Sequence, residues 1–292
     1  QVADLNGDGR SDICYLANEG STRGLCARLQ SNDSRLGPEM RFSLQQPRSV
    51  TLANIDQKPG HEVVTIDSRT GRVQISSLQP ATSEDGVLPT RLLQYGIGQS
   101  GSNRDRAVAI GDVDGDRLTD VVVTDPEQAQ LLLYRQNGID GLSMAETFPG
   151  LLGVTDIAAA DLDADNVLDL VLLSAKEGVV ATSHFEGGRI TFPETIMKKP
   201  EGSELAAVEI LTSEEKVQVV VALTSGTGSG MKLAFQRLVR NDTGEWRQEN
   251  EEQKIELNGA VGSRGVRFVR MDVNSDGKMD LLSVPTGTSK SG

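Results

Sequence analysis

The sequence predicts an all-β fold built from repeated four-stranded units, and three observations carry that reading. A nine-residue acidic pattern, Asp-x-(Asp/Asn)-x-Asp-x-x-x-Asp followed by a short β-branched or apolar run, returns along the chain. Its six starts fall near positions 4, 54, 112, 161, 209 and 272, a spacing of roughly 48 to 63 residues. Between copies lie short apolar segments separated by turn residues, and no segment sustains a 3.6-residue period. Four-stranded units at this period are the blades of a β-propeller, each hiding its faces against its neighbours.

The first copy runs through Asp4, Asn6, Asp8, Arg10 and Asp12 into the apolar run Ile13 to Leu16. Cys14 and Cys26 flank the turn-like stretch 18–24. A hairpin centred near Gly20 sets them opposite each other, close enough for a disulfide and so for an oxidising compartment. Two buried free thiols remain the alternative. The second copy, Asn54 to Glu62, keeps the frame, but Lys58 stands where an acidic residue belongs. Its ammonium either replaces a cation as an internal counter-charge or points to solvent, and no metal is expected there.

The third copy sits in the clearest unit. A strand at 106–111 precedes Asp112, Asp114, Asp116, Leu118 and Asp120; strands at 120–124 and 130–134 and a weaker one ending near Phe148 follow. Asp125-Pro126 and Asn137-Gly138 break them. The fourth copy is Asp161, Asp163, Asp165, Val167 and Asp169, then 170–173. Near Glu209 the loop has decayed. The sixth copy is Asp272, Asn274, Asp276, Lys278 and Asp280, then Leu281 and Leu282. Five fairly full blades and part of a sixth are thus expected over 1–285, within a seven-bladed ring or part of a larger propeller, with 286–292 a flexible tail.

The pattern matches what calcium demands. Calcium takes six to eight oxygen ligands in a flexible cage. Alternate residues of a tight loop point inward, so carboxylates or amides at positions 1, 3 and 5 converge, and the carbonyl at position 7 and the acid at position 9 complete the shell. The expected donors are Asp4, Asn6, Asp8 and Asp12 with the Arg10 carbonyl; Asp112, Asp114, Asp116 and Asp120 with that of Leu118; Asp161, Asp163, Asp165 and Asp169 with that of Val167; and Asp272, Asn274, Asp276 and Asp280 with that of Lys278. About four calcium sites follow. An EF-hand opens the same way but needs Glu at position 12; Tyr15, Val123, Leu172 and Ser283 stand there. Solvated turn aspartates are the plainer alternative, and four copies of the complete frame argue against it.

These motifs between apolar strands resemble the FG-GAP/VCBS repeat of integrin α-chain propellers and of many bacterial secreted proteins. The family's Phe-Gly and Gly-Ala-Pro elements are barely visible here. The resemblance implies metal loops on one face and a ligand on the opposite face or rim. It implies an extracellular, cell-surface or periplasmic binding or scaffold module with a protein or glycan partner. Strand order assigns Arg48, Arg104, Arg106, Lys198, Lys199 and Arg264 to that opposite face, with Asp105, Glu201 and Glu204 interleaved.

Composition excludes other classes. Net charge is −13, from 29 Lys and Arg against 42 Asp and Glu, which disfavours nucleic acid. No apolar run approaches 18 residues, so no helix spans a membrane. The two histidines, His61 and His184, lie in different repeats, and no zinc, haem, nucleophile-elbow or Walker motif occurs. No catalytic group is expected. A glycan lyase or hydrolase domain and a structural subunit of a larger secreted assembly are the competing readings.

Overall fold

The computed structural model of the chain describes residues 1–20, 22–44, 47–79, 91–97, 106–138, 141–212, 216–226, 232–241, 244–249, 253–256, 266–271, 273–274 and 280–285. The expected tail 286–292 lies outside them, as do Asp272, Asp276 and Lys278. All named elements are β-strands. The chain divides into two compact units, Gln1–Arg106 with Arg117–Val121 and Tyr134–Ala145, and Ala107–Asp116 with Val122–Leu133 and Glu146–Gly292.

The strands form small antiparallel meanders in chain order. The first sheet joins β1 (Val2–Ala3), β2 (Asp12–Glu19), β3 (Thr22–Arg28) and β4 (Met40–Phe42). The second joins β5 (Pro47–Ala53), β6 (Glu62–Asp67), β7 (Val73–Gln79) and β8 (Arg91–Ile97). The third joins β9 (Val108–Gly111), β10 (Asp120–Asp125), β11 (Gln130–Tyr134) and β12 (Glu146–Pro149). The fourth uses β13 (Val154–Ala160), β14 (Asp169–Ser174) and β15 (Val179–Ser183), then a small hairpin of β16 (Phe185–Glu186) and β17 (Arg189–Ile190), then β18 (Glu194–Lys198). The fifth uses β19 (Ser203–Thr212), β20 (Val217–Ser225), β21 (Lys232–Arg240) and β22 (Trp246–Gln248), with β23 (Gln253–Glu256) also on β21. A pair, β24 (Val266–Met271) and β25 (Asp280–Pro285), follows. This is the all-β, four-stranded repeat the sequence predicts, and it is consistent with an FG-GAP-type β-propeller.

The apolar run after each acidic loop is explained by burial on both faces. Every residue of β14 is buried. Leu170 and Leu172 enter the core shared with the third sheet, whereas Val171 and Leu173 enter the core shared with the fifth. A strand covered on both sides gains nothing from polar alternation, so it reads as a continuous apolar run. Each fully buried Leu or Val contributes about 1.5–3 kcal/mol relative to exposure. Leu5 of the first acidic loop and Cys14 and Leu25 of the first sheet likewise pack with Val50, Val63 and Leu78 of the second. Ala207 and Val220 of the fifth pack with Val266 and Phe268 of β24.

The expected disulfide does not form. Cys14 and Cys26 are both buried free thiols. The β2–β3 hairpin pairs Glu19 with Thr22, which sets Cys14 against Ala27 and Tyr15 against Cys26. The hairpin centre lies half a residue beyond Gly20, so the pairing shifts by one position, and in a pleated strand that shift sends the two side chains to opposite faces. Cys14 sits in the core, where burial pushes its thiol up to about 12.

Candidate metal loops

The acidic loops at 4–12, 112–120 and 161–169 each connect the first two strands of their sheet, and the first carboxylate of each holds the loop together. In the 161–169 loop, Asp161 Oδ1 accepts the N–H groups of Asp163, Ala164 and Asp165 at 3.3, 2.7 and 3.2 Å, and Oδ2 accepts that of Asn166 at 2.9 Å. Asp4 does the same for Gly7, Asp8 and Gly9, at 2.7, 3.2 and 2.7 Å. Asp112 accepts Gly115 N–H at 2.8 Å. Two left-handed residues close each of these loops, at positions 4 and 6: Gly7 and Gly9, Gly115 and Arg117, Ala164 and Asn166. An L residue in that region costs about 1–2 kcal/mol, so Ala164 and Arg117 are held there by the rest of the loop. Arg10, Leu118 and Val167, the expected carbonyl donors, come directly after this second left-handed turn.

Position 5 is oriented the same way. Asp8 Oδ1 accepts the N–H of Arg10 at 2.9 Å, and Asp165 Oδ1 that of Val167 at 2.8 Å. Position 9 staples the loop base. Asp12, Asp169 and Asp280 accept the N–H of Leu5, Leu162 and Val273 at 2.8, 2.8 and 3.0 Å. Glu62 performs the same task for Ile55 at 2.8 Å.

Two of the expected sites bring three carboxylates together. Oxygen atoms of Asp112, Asp114 and Asp120 lie within 4.8 Å of one another, as do those of Asp161, Asp163 and Asp169. Two oxygens bound to one calcium at about 2.3–2.6 Å are at most about 5 Å apart, so both all-oxygen donor sets fit that ion. Asp116 and Asp165 lie outside these trios. Burial pushes the Asp169 carboxyl up to about 6, against the Leu162 N–H and reinforced by the charges of Asp163 and Asp165. A bound cation would relieve that repulsion.

The first two loops carry cations of their own. Arg10 Nη2 lies 2.5 Å from Asp8 Oδ2, and its Nε donates to the Gln30 carbonyl at 3.0 Å. The Asn6 amide, with Arg10, holds the Asp8 carboxyl below the usual range. Lys58 Nζ lies 2.8 Å from Asp56 Oδ2 while most of the Lys58 side chain faces solvent, so it combines both readings, an exposed lysine that pairs with one loop acid. Burial raises the Asp56 carboxyl, but Lys58 outweighs that and holds it low. In the sixth copy only Asn274 and Asp280 of the expected donors are described.

The expected electropositive face is thinned. Arg106 is 2% exposed, with its carbonyl accepting from Arg48. Lys199 pairs with Glu204 at 2.8 Å, and Arg104 and Arg264 lie outside the described residues.

Ties between neighbouring sheets have no counterpart among the motifs read from the sequence. The carbonyl at loop position 2 repeatedly accepts a side chain from a later sheet: Leu162 from Arg240 at 3.4 Å, Ile210 from Arg270 at 3.3 Å, and Ile55 from Gln136. Gln30 and Gln136 also occupy equivalent places after the third strands, each giving its N–H to the position-9 acid and bridging to a Leu six residues on. A Gln-x-x-x-x-x-Leu echo is legible in the sequence once the sheets are aligned.

Residues 100–172 match the family model of the FG-GAP-like repeat. The chain carries an FG-GAP-like repeat. The matched FG-GAP-like stretch holds both loops in which three carboxylates converge. Repeats of this kind suggest an extracellular or periplasmic protein-binding module in general. No curated protein sequence matches the chain significantly. Among solved structures, the core factor of S. cerevisiae matches 89% of this chain and 49% of its own at 10% identity and a TM-score of 0.42. The chain therefore spans about half the length of that protein. A protein proposed to be a 6-phosphogluconolactonase, from Bacteroides fragilis, matches 85% of this chain and 82% of its own at 12% identity and a TM-score of 0.38. No helix is long and apolar enough to cross a membrane among the described residues.

Proposed function

We propose that the protein is a calcium-stabilised β-propeller module that works outside the cytoplasm by binding a protein or glycan partner, rather than by catalysis. The observation that carries this reading is the convergence of Asp161, Asp163 and Asp169, and of Asp112, Asp114 and Asp120, in loops of one shared design. Asp161 and Asp169 are pinned by backbone N–H donors, which suits a rigid structural cage better than a proton-transferring pair. Bound calcium would supply charge neutralisation there, and Asp161, Asp163, Asp169 and the Val167 carbonyl would hold it. Binding only to the folded state adds about 2.7 kcal/mol of stability at a hundredfold excess over Kd.

The test is thermal unfolding with calcium and with excess chelator, alongside direct measurement of bound calcium. The expected result is bound calcium and a chelator-dependent fall in Tm, both reduced by D161N/D163N. No bound calcium and an unchanged Tm would reduce the acidic loops to turns.

A further inference from the structure

The loops 112–120 and 161–169 are in direct contact, and the contact is made by the parts of each loop assigned to the ion. The Leu168 N–H donates to the Asp112 carbonyl at 2.9 Å. Asp112 is the first ligand of one loop, and Leu168 follows Val167, the expected carbonyl donor of the other. Two glycines let the loops meet. Gly111 has φ +153°, and a Cβ there would lie 2.1 Å from Leu168 Cδ1. Gly115 has φ +82°, and a Cβ there would lie 3.0 Å from Val167 Cγ2.

The same backbone tie recurs one pair of loops earlier. The His61 N–H donates to the Asp4 carbonyl at 2.7 Å, and His61 Nδ1 lies 3.0 Å from the same oxygen. In both cases position 8 of the later loop reaches position 1 of the earlier one.

We propose that calcium binds to the loops 112–120 and 161–169 cooperatively, through the Leu168–Asp112 tie and the seating of Leu168 on Gly111. The proposal rests on the calcium reading above. Without the ion, clustered carboxylates repel and each loop must be ordered at the expense of binding free energy. An ion in the 161–169 loop fixes Val167 and with it Leu168, which fixes Asp112. The second ion then meets a loop already ordered and binds more tightly, and by reciprocity the first gains the same factor.

The experiment is calorimetric titration of the intact chain with calcium alone, read as affinity and stoichiometry. The wild type is expected to show a Hill coefficient above one for this pair. D161N/D163N, which removes ligands only from the later loop, is expected to lose one ion and to weaken the 112–120 site about fivefold or more, the lower range of allosteric couplings. D112N/D114N is expected to weaken the 161–169 site by the same factor. L168A, which keeps all ligands and the backbone N–H but removes the seating on Gly111, is expected to retain both ions with a Hill coefficient below that of the wild type. Two ions bound by the wild type with affinities that neither double variant alters would overturn the coupling and leave the calcium reading intact. Absence of calcium from the wild type would overturn that reading as well, so the two failures are distinct.

Discussion

Asp12 is the residue at which the folding role is plainest, although the sequence frame assigns it to a ligand position. It is fully buried, and its two oxygens accept the N–H groups of Leu5 and Gln30, each at 2.8 Å. The sequence marks it as a ligand, because an acid closes the nine-residue frame. The staple is not legible there, since one partner lies 18 residues away. Glu62 shows that the staple outlives the metal frame, for it still holds Ile55 in a loop whose Lys58 pairs with Asp56. D12A should therefore cost about 2–6 kcal/mol, about 1–3 for each of the two buried donors left unpaired, and the loss should be the same with or without chelator. D8A, at the exposed position 5 of the same loop, should cost much less than D12A. Urea unfolding in both buffers compares them. Strain gives a second prediction at this scale. Ala164 is held at φ +66°. Glycine relieves about 1–2 kcal/mol of that strain against an entropic cost of about 0.5–1, so A164G should raise stability by about 0.5–1 kcal/mol in the same assay.

Among elements, the central strands are the most legible and the pairing between strands the least. Val121 to Val123 and Leu170 to Leu173 are apolar because both faces of β10 and β14 are buried, and a run of that kind announces itself. Register does not: the position of the hairpin turn at Gly20 moves the Cys14 pairing by one residue, and nothing in local propensity fixes that half-step. The first strands of the fourth and fifth sheets hold a further feature that composition hides. Asp156 of β13 accepts the Val208 N–H of β19 at 2.9 Å, with Glu209 beside it and Arg270 Nε 3.7 Å from Glu209. Burial pushes the Asp156 carboxyl up to about 7, against the Val208 N–H and with the Glu209 charge adding to the rise, while Arg267 opposes it. Burial also raises Glu209, against the Ile210 N–H and the two arginines. A carboxyl that holds its proton more tightly when folded contributes stability fully below its unfolded value near 3.8. That contribution is lost as pH rises through about 7. D156N keeps an oxygen for Val208 but cannot ionise. Its Tm relative to wild type should rise between pH 5 and pH 8, and an unchanged difference across that range would show that Asp156 titrates as an ordinary surface acid.

At the scale of the whole chain, the repeat period and the acidic frame disclose the sheets because each repeat solves the same problem of burying a four-stranded meander. The frame does not disclose how evenly the proposed calcium would be needed across the repeats, because that turns on where cations already sit. The 4–12 and 54–62 loops pair an acid with Arg10 or Lys58. The 161–169 loop contains neither lysine nor arginine, and burial with the neighbouring Asp163 and Asp165 charges pushes Asp169 up to about 6. Chelation should therefore loosen the chain locally rather than uniformly. Hydrogen exchange reports such local opening segment by segment. With calcium removed, amides of 162–168 and of the flanking β13 and β14 should exchange much faster, whereas those of 5–11 and 55–61 should change little. Raising the salt concentration toward about 1 M should partly restore protection in 162–168, since the screening length falls from about 10 Å at 0.1 M to about 3 Å at 1 M, short enough to weaken repulsion among neighbouring exposed carboxylates. R10Q should then move the 4–12 loop into the calcium-dependent class, with 5–11 gaining a chelator response that the wild type lacks. Uniform loosening of all the loops, or no chelator response in 5–11 of R10Q, would show that the built-in cations do not take the place of the ion.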